Sequence, residues 1–192
     1  MIEVYFRKIN KFEETIVTNE FLLNRIKDTN DEKYKKLRIN AYSYLLKILK
    51  EKGINQEFIC NEYGKLYIKG NPLFFNISHT KDAFVIAFST KEIGVDIEVK
   101  REYDKETLDK LISKCNSKEE VVNNSNDFIK LWTAKESFLK LIGTGIINSL
   151  KDVKVLDKVY CGKNNAYYKI IEKDNYYISV SYNEYDEIKM QD

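Results

Sequence analysis

LFFNISHTKDAFVIAFSTKEIGVDIEV, residues 73 to 99, places three strand signals in succession. LFFNIS (73–78) and AFVIAFS (83–89) are rich in aromatic and β-branched residues, and the polar HTKD between them reads as a hairpin connection. In IGVDIEV (93–99), Val95, Ile97 and Val99 alternate with Asp96 and Glu98, so a strand sends the apolar set to one face and both carboxylates to the other. Working outward, IEVYFRK (2–8) and KLYI (65–68) add strands before this stretch. VKVLDKVY (153–160), AYYKII (166–171) and YYISVSY (176–182) add antiparallel strands after it. Helical spacing of Tyr34, Leu37, Ala41, Tyr42, Leu45, Ile48 and Leu49 predicts a helix over 32–50 that stops at Gly53. A second helix is predicted over 105–114. A third carries IKLWTAKESFLK (129–140) and ends at Gly143 and Gly145. The class is α+β, in two similar halves, 1–92 and 93–192, although no internal sequence repeat and no low-complexity linker marks the junction.

The chain is long enough, at 192 residues, to bury a core without metal or disulfide staples. Its 32 basic and 30 acidic residues leave a net charge of +2, which gives no sign of a nucleic-acid partner. Cys60, Cys115 and Cys161 are widely spaced and odd in number, as reduced thiols would be. No apolar run reaches the length of a membrane span or a secretion signal, so a cytoplasmic protein away from membranes is expected. The Asn-x-Ser matches at Asn76 and Asn123 are then chance sequons.

The helix over 129–140 raises the sharpest chemical question. At about 100° per residue, Phe128, Leu131, Trp132, Phe138, Leu139 and Ile142 share one arc, with Lys135 along its centre. A buried ammonium must reach a carboxylate or a phosphate, or else snorkel out along a groove. Trp132, Glu136 and Lys140 line the flank of this arc at intervals of four.

Two neighbouring carboxylates, Asp96 and Glu98, repel each other unless a hard cation such as Mg²⁺ relieves them, and Glu136 could complete such a site. The bland reading is an exposed polar strand face. His79, the sole histidine, stands beside Ser78 where a strand meets a turn; a ring N–H and a hydroxyl could grip a phosphate together. These groups are consistent with Mg²⁺-assisted chemistry on a phosphate ester. Asp-x-Glu-x-Lys at 96–100 also fits a metal-dependent nuclease, against which the charge balance argues.

FFNISHT (74–80), IGVDIE (93–98) and LWTAKESFLKLIGTG (131–145), in this order, resemble the motifs of the Sfp-type 4′-phosphopantetheinyl transferases. The resemblance implies an enzyme of two similar α+β halves with the active site between them. It would move 4′-phosphopantetheine from coenzyme A to a serine of an acyl, peptidyl or aryl carrier protein and release adenosine 3′,5′-bisphosphate. It implies Mg²⁺, with Mn²⁺ as an alternative, on Asp96, Glu98 and Glu136, and coenzyme A on Ser78, His79, Lys65 and Lys140, with Lys135 as a further cation. Glu136 is then the base and Lys140 the group facing the departing phosphate. A non-catalytic module that binds coenzyme A or a carrier is the alternative.

The chain departs from the family at Leu66, where relatives often have proline, and at Ser43, where an arginine is common; Arg38 and Lys47 are the candidate replacements. Leu111, Ile112, Val121 and Val122 are candidates for carrier docking, and a monomer is the simpler expectation.

Overall fold

The computed structural model describes residues 1–9, 17–55, 57–145 and 149–191. In chain order the elements are β1 (Ile2–Lys8), α1 (Glu20–Lys27), α2 (Glu32–Glu51), β2 (Phe58–Cys60), β3 (Leu66–Ile68), β4 (Phe74–His79), β5 (Ala83–Ser89), β6 (Ile93–Val99), α3 (Lys105–Cys115) and α4 (Ser125–Ile142). A short 3-10 turn (Leu150–Asp152) precedes β7 (Lys154–Val155), β8 (Val159–Cys161), β9 (Asn164–Lys173), β10 (Tyr176–Tyr182) and β11 (Ile188–Gln191). The α+β class is as expected. Among the described residues, no helix is long and apolar enough to cross a membrane.

Strands β11, β1, β5 and β4 form one sheet in that order, and β6, β10, β9, β8 and β7 form a second. Ile2, Val4, Phe6, Ala83, Val85 and Ala87 from the first sheet meet Ile93, Val95, Ile97, Ile178 and Val180 from the second in one core. On its other face β5 turns Phe84, Ile86 and Phe88 toward Leu45, Ile48 and Leu49 of α2. Burial on both faces is why this strand reads as an unbroken apolar run rather than an alternating one. A third core joins α3 and α4 to the outer face of the second sheet.

Local signals set the helix ends. The Asp31 carboxylate accepts from the amides of Lys33 and Tyr34 at the start of α2. Asn124 accepts from the Asp127 amide at the start of α4, which ends at Gly143 in a left-handed conformation.

The structure differs from the sequence expectations in several places. VKVLDKVY is two short strands, β7 and β8, closed by a turn in which the Leu156 amide donates to the Lys158 carbonyl at 2.8 Å. Helix α1 and strands β2 and β11 lie outside the elements expected from the sequence. β2 survives by pairing with β3. β11 runs parallel to β1, so the end of the chain completes the sheet of its first half.

Helix α4 seats on the second sheet through small residues. A Cβ at Gly94 would overlap the Ser137 carbonyl oxygen and the Leu141 backbone. The Ser137 hydroxyl lies 2.9 Å from that of Ser179 and 2.7 Å from that of Ser181. The buried surface of α4 is therefore wider than its apolar arc: Thr133, Ala134 and Ser137 are buried, while Leu131, Trp132 and Ile142 are only half-buried.

Candidate active site

Edge strand β4 of one sheet runs beside edge strand β6 of the other, and the Asn76 side-chain oxygen accepts from the Val95 amide at 3.0 Å. That bridge sets Ser78 opposite Asp96, whose Oδ1 accepts from the Ser78 hydroxyl at 2.8 Å. Lys140 of α4 reaches the same two groups, with Nζ 2.6 Å from Asp96 Oδ1 and 2.8 Å from Ser78 Oγ. Glu136 stands one turn earlier on α4, on the flank that the spacing predicts. Three separate elements thus bring Ser78, Asp96, Glu136 and Lys140 to one place.

The electrostatics there are unbalanced. Among the described residues, Asp96 Oδ2, Glu136 Oε1 and His79 Nδ1 are buried without a hydrogen-bond partner. Burial, and then the charges of Asp96 and Glu98, push the Glu136 carboxyl up to about 7 against the relief given by Lys140. Glu98 is also raised, by burial first and Asp96 second, although Arg101 donates to it at 2.7 Å. His79 is lowered by burial and then by the nearby Lys140 and Arg38; its ring lies against Tyr34 with centroids 5.6 Å apart.

His79 and Lys140 of this cluster also line a cleft of about 250 Å³, together with Arg25, Arg38 and Lys65. Of the two candidate replacements named for the position of Ser43, Arg38 lines the cleft, whereas Lys47 is exposed and outside its lining. Arg25 escapes sequence reading because it lies on α1, a helix of eight residues outside the expected elements. Its position is fixed by a bond to the Gly64 carbonyl at 3.1 Å, and Arg38 donates to the Arg25 carbonyl at 2.9 Å.

Two predicted site lysines are committed elsewhere. The Lys135 ammonium does find a carboxylate, but it is Glu120, at 2.8 Å, with further bonds to the carbonyls of Cys115 and Leu150. It lies in the third core and is not brought to the phosphate-facing cluster. Lys65 lines the cleft, but its ammonium donates to Glu92 at 2.5 Å and to the Leu141 carbonyl at 2.8 Å. Lys100, the last member of the nuclease-like pattern, pairs with Glu172 rather than with Asp96 or Glu98.

Among the described residues, no three His, Cys, Asp or Glu side chains form a ready-made metal cage. The donor set still suits Mg²⁺, which takes one or two carboxylates and completes its shell with water and substrate phosphate. The partnerless oxygens of Asp96 and Glu136 are the observation that supports this fit. Beside Glu98, a narrow groove of about 160 Å³ runs between Arg101, Tyr103, Leu111, Phe128 and Trp132. Of the docking candidates, Val121 is 74% exposed, while Leu111, Ile112 and Val122 are partly buried against the third core.

The sequence profile of the 4′-phosphopantetheinyl transferase superfamily matches residues 92–188, a stretch that holds Asp96, Glu98, Glu136 and Lys140. The chain belongs to that superfamily. Over 108 residues it is 35% identical to the 4′-phosphopantetheinyl transferase gsp of Aneurinibacillus migulanus, covering 54% of this chain and 45% of that protein. Over 94 residues it is 34% identical to the 4′-phosphopantetheinyl transferase Sfp of Bacillus subtilis strain 168, covering 46% of this chain and 42% of that protein. The ffp transferase of Bacillus subtilis is 36% identical over 95 residues, 46% of this chain and 42% of that protein. The chain thus aligns with less than half the length of these relatives. Within the superfamily profile lies one wall of the cleft; Arg25, Arg38, Lys65, Ser78 and His79 lie outside it, and it is the fold that brings them to the same place.

Proposed function

We propose that the protein transfers 4′-phosphopantetheine from coenzyme A to a serine hydroxyl of an acyl, peptidyl or aryl carrier protein and releases adenosine 3′,5′-bisphosphate. The observation that carries this reading is the pairing of two partnerless buried carboxylate oxygens, on Asp96 and Glu136, with a cleft walled by Arg25, Arg38, His79 and Lys140. Such a cleft suits a polyanion, and the carboxylates beside Lys140 suit the cation that accompanies a pyrophosphate.

In this reading the new bond joins the serine oxygen to the phosphorus next to pantetheine, and the bridging bond to the adenosine bisphosphate breaks. Phosphoryl transfer of this kind asks mainly for positioning and for neutralisation of charge on the leaving oxygens. Arg25 and Arg38 hold the nucleotide phosphates from one side of the cleft, with His79 and Ser78 from another. Lys140, freed from Asp96 by the ligand's own charges, faces the departing phosphate. Glu136, or a water that it orients, takes the serine proton as the hydroxyl attacks. Asp96, Glu98 and Glu136 would hold Mg²⁺, which supplies charge stabilisation to the pyrophosphate when bound.

The direct test is intact-protein mass spectrometry of an apo carrier protein incubated with the enzyme, coenzyme A and Mg²⁺. One phosphopantetheine should be gained, and the gain should vanish with EDTA or when the carrier serine is alanine. Coenzyme A binding with no gain on any carrier type would favour a binding role instead.

A further inference from the structure

A loop far from the carboxylates in sequence lines part of the cleft and bonds to the end of α4. Between β2 and β3, residues 61–65 close on themselves: the Asn61 amide donates to the Lys65 carbonyl at 3.1 Å, and the Gly64 amide to the Asn61 carbonyl at 3.0 Å. The Asn61 side chain uses both of its ends. Its Oδ1 accepts from the amides of Lys65 at 2.9 Å and Tyr63 at 3.1 Å, and its Nδ2 donates to the Gly143 carbonyl at 2.7 Å. From the same loop, Lys65 Nζ donates to the Leu141 carbonyl at 2.8 Å and to Glu92 at 2.5 Å. Carbonyls at the end of a helix lack intrahelical partners, and here one loop supplies them.

We propose that Asn61 is a positioning residue: together with Lys65 it locks this loop onto the C-terminal end of α4 and so fixes the distance between the two walls of the cleft. The proposal rests on the coenzyme A reading above. Tyr63, Gly64, Lys65 and Leu66 from the loop and Lys140 and Gly143 from the end of α4 all line the cleft. Gly143 makes the approach possible. It has φ +71°, and a Cβ there would lie 2.9 Å from Asn61 Nδ2 and 3.1 Å from Lys65 Cδ. Lys65, buried and paired, acts in this lock rather than as a phosphate ligand. Helix α4 is held independently by Gly94, Ser179 and Ser181, so when the lock opens it is the loop that moves. Substrate affinity should then suffer and turnover should not.

The test variant is Asn61→Asp, which keeps an oxygen for the amides of Tyr63 and Lys65 but replaces the Nδ2 donor with an oxygen facing the Gly143 carbonyl. We expect KM for coenzyme A to rise about tenfold, with kcat within about threefold of the parent. Amide exchange should accelerate across 61–66 while β5 keeps its protection. Lys65→Met should raise KM similarly, and the double variant should be no worse than either single one, because both open the same lock. A purely structural role would instead lower thermal stability with KM unchanged, and a direct Lys65–phosphate contact would make the two effects multiply. Either result overturns the proposal. If the parent protein binds no coenzyme A, the functional reading fails, and exchange across 61–66 alone decides the lock: faster in Asn61→Asp supports it, unchanged refutes it.

Discussion

Lys135 and Glu120 face each other across 2.8 Å with side chains 1% and 0% exposed. Glu120 also accepts from the amides of Ser117 at 2.8 Å and Val155 at 2.7 Å, tying the loop after α3 to β7. Desolvation lowers the Lys135 ammonium, and Glu120 opposes that shift. Removing the Glu120 charge strands the buried Lys135 ammonium, and a glutamine there keeps an oxygen for only one of the two backbone donors. Glu120→Gln should therefore destabilise the fold by about 3–5 kcal/mol, read from the urea midpoint. Adding Lys135→Met should cost less than the sum of the two single changes. Additivity would show that the pair is not coupled.

Gly94 lets α4 approach the second sheet so closely that a Cβ there would overlap the Ser137 carbonyl oxygen. Gly94→Ala places a methyl group into helix backbone that has no soft side chain to yield. We expect a loss of at least 1–3 kcal/mol. Transferase activity should fall more than tenfold even where the protein stays folded, because Glu136 and Lys140 would shift away from Asp96. Parent-like stability and turnover together would place the helix differently from the arrangement described above.

These two sites show what the sequence could and could not reveal. The three strands of 73–99 and the flank of Trp132, Glu136 and Lys140 were legible because periodicity is a local property. The Lys135 partner was not, since Glu120 is brought back by a loop fifteen residues upstream and no period links them. Ser137, Ser179 and Ser181 form a buried seam without an apolar signature, so the face of α4 was read too narrowly. Arg25 was invisible for a different reason: its helix is short and its role comes only from being packed beside Gly64. The family resemblance implies Lys65 at the nucleotide, whereas its geometry gives it Glu92 and a helix end.

Glu136 gives a stability signature with a definite sign. Its folded value is raised from 4.5 to about 7, so between those pH values the folded state binds the proton that the unfolded chain has released. Stability should fall as pH rises through that window, and the penalty should be fully present above it. Glu136→Gln should therefore be more stable than the parent at pH 8, by about 2 kcal/mol after allowance for partial exposure, and no more stable below pH 4.5. The same variant should lose transfer by at least a hundredfold. Urea titrations at the two pH values measure the first effect, and a parallel pH profile for both proteins would refute it.

His79 offers the cleanest view of the cleft, because the chain has one histidine and so one imidazole signal to follow. In the free protein it is held below its ordinary 6.5 by burial, Lys140 and Arg38. The unfolded chain therefore takes up the proton first as pH falls through about 6.5, and His79 weakens the fold on the acid side. A phosphate seated between His79, Arg38 and Lys140 would reverse the local field. It neutralises the two cations that disfavour the imidazolium and accepts a hydrogen bond from the ring. NMR titration of the single imidazole should thus give a higher pKa with coenzyme A bound than without, and Arg38→Gln should raise the value in the free protein while weakening the shift on binding. An imidazole that titrates identically in the free and bound protein would mean that the anion sits elsewhere, and would remove Ser78 and His79 from the binding site.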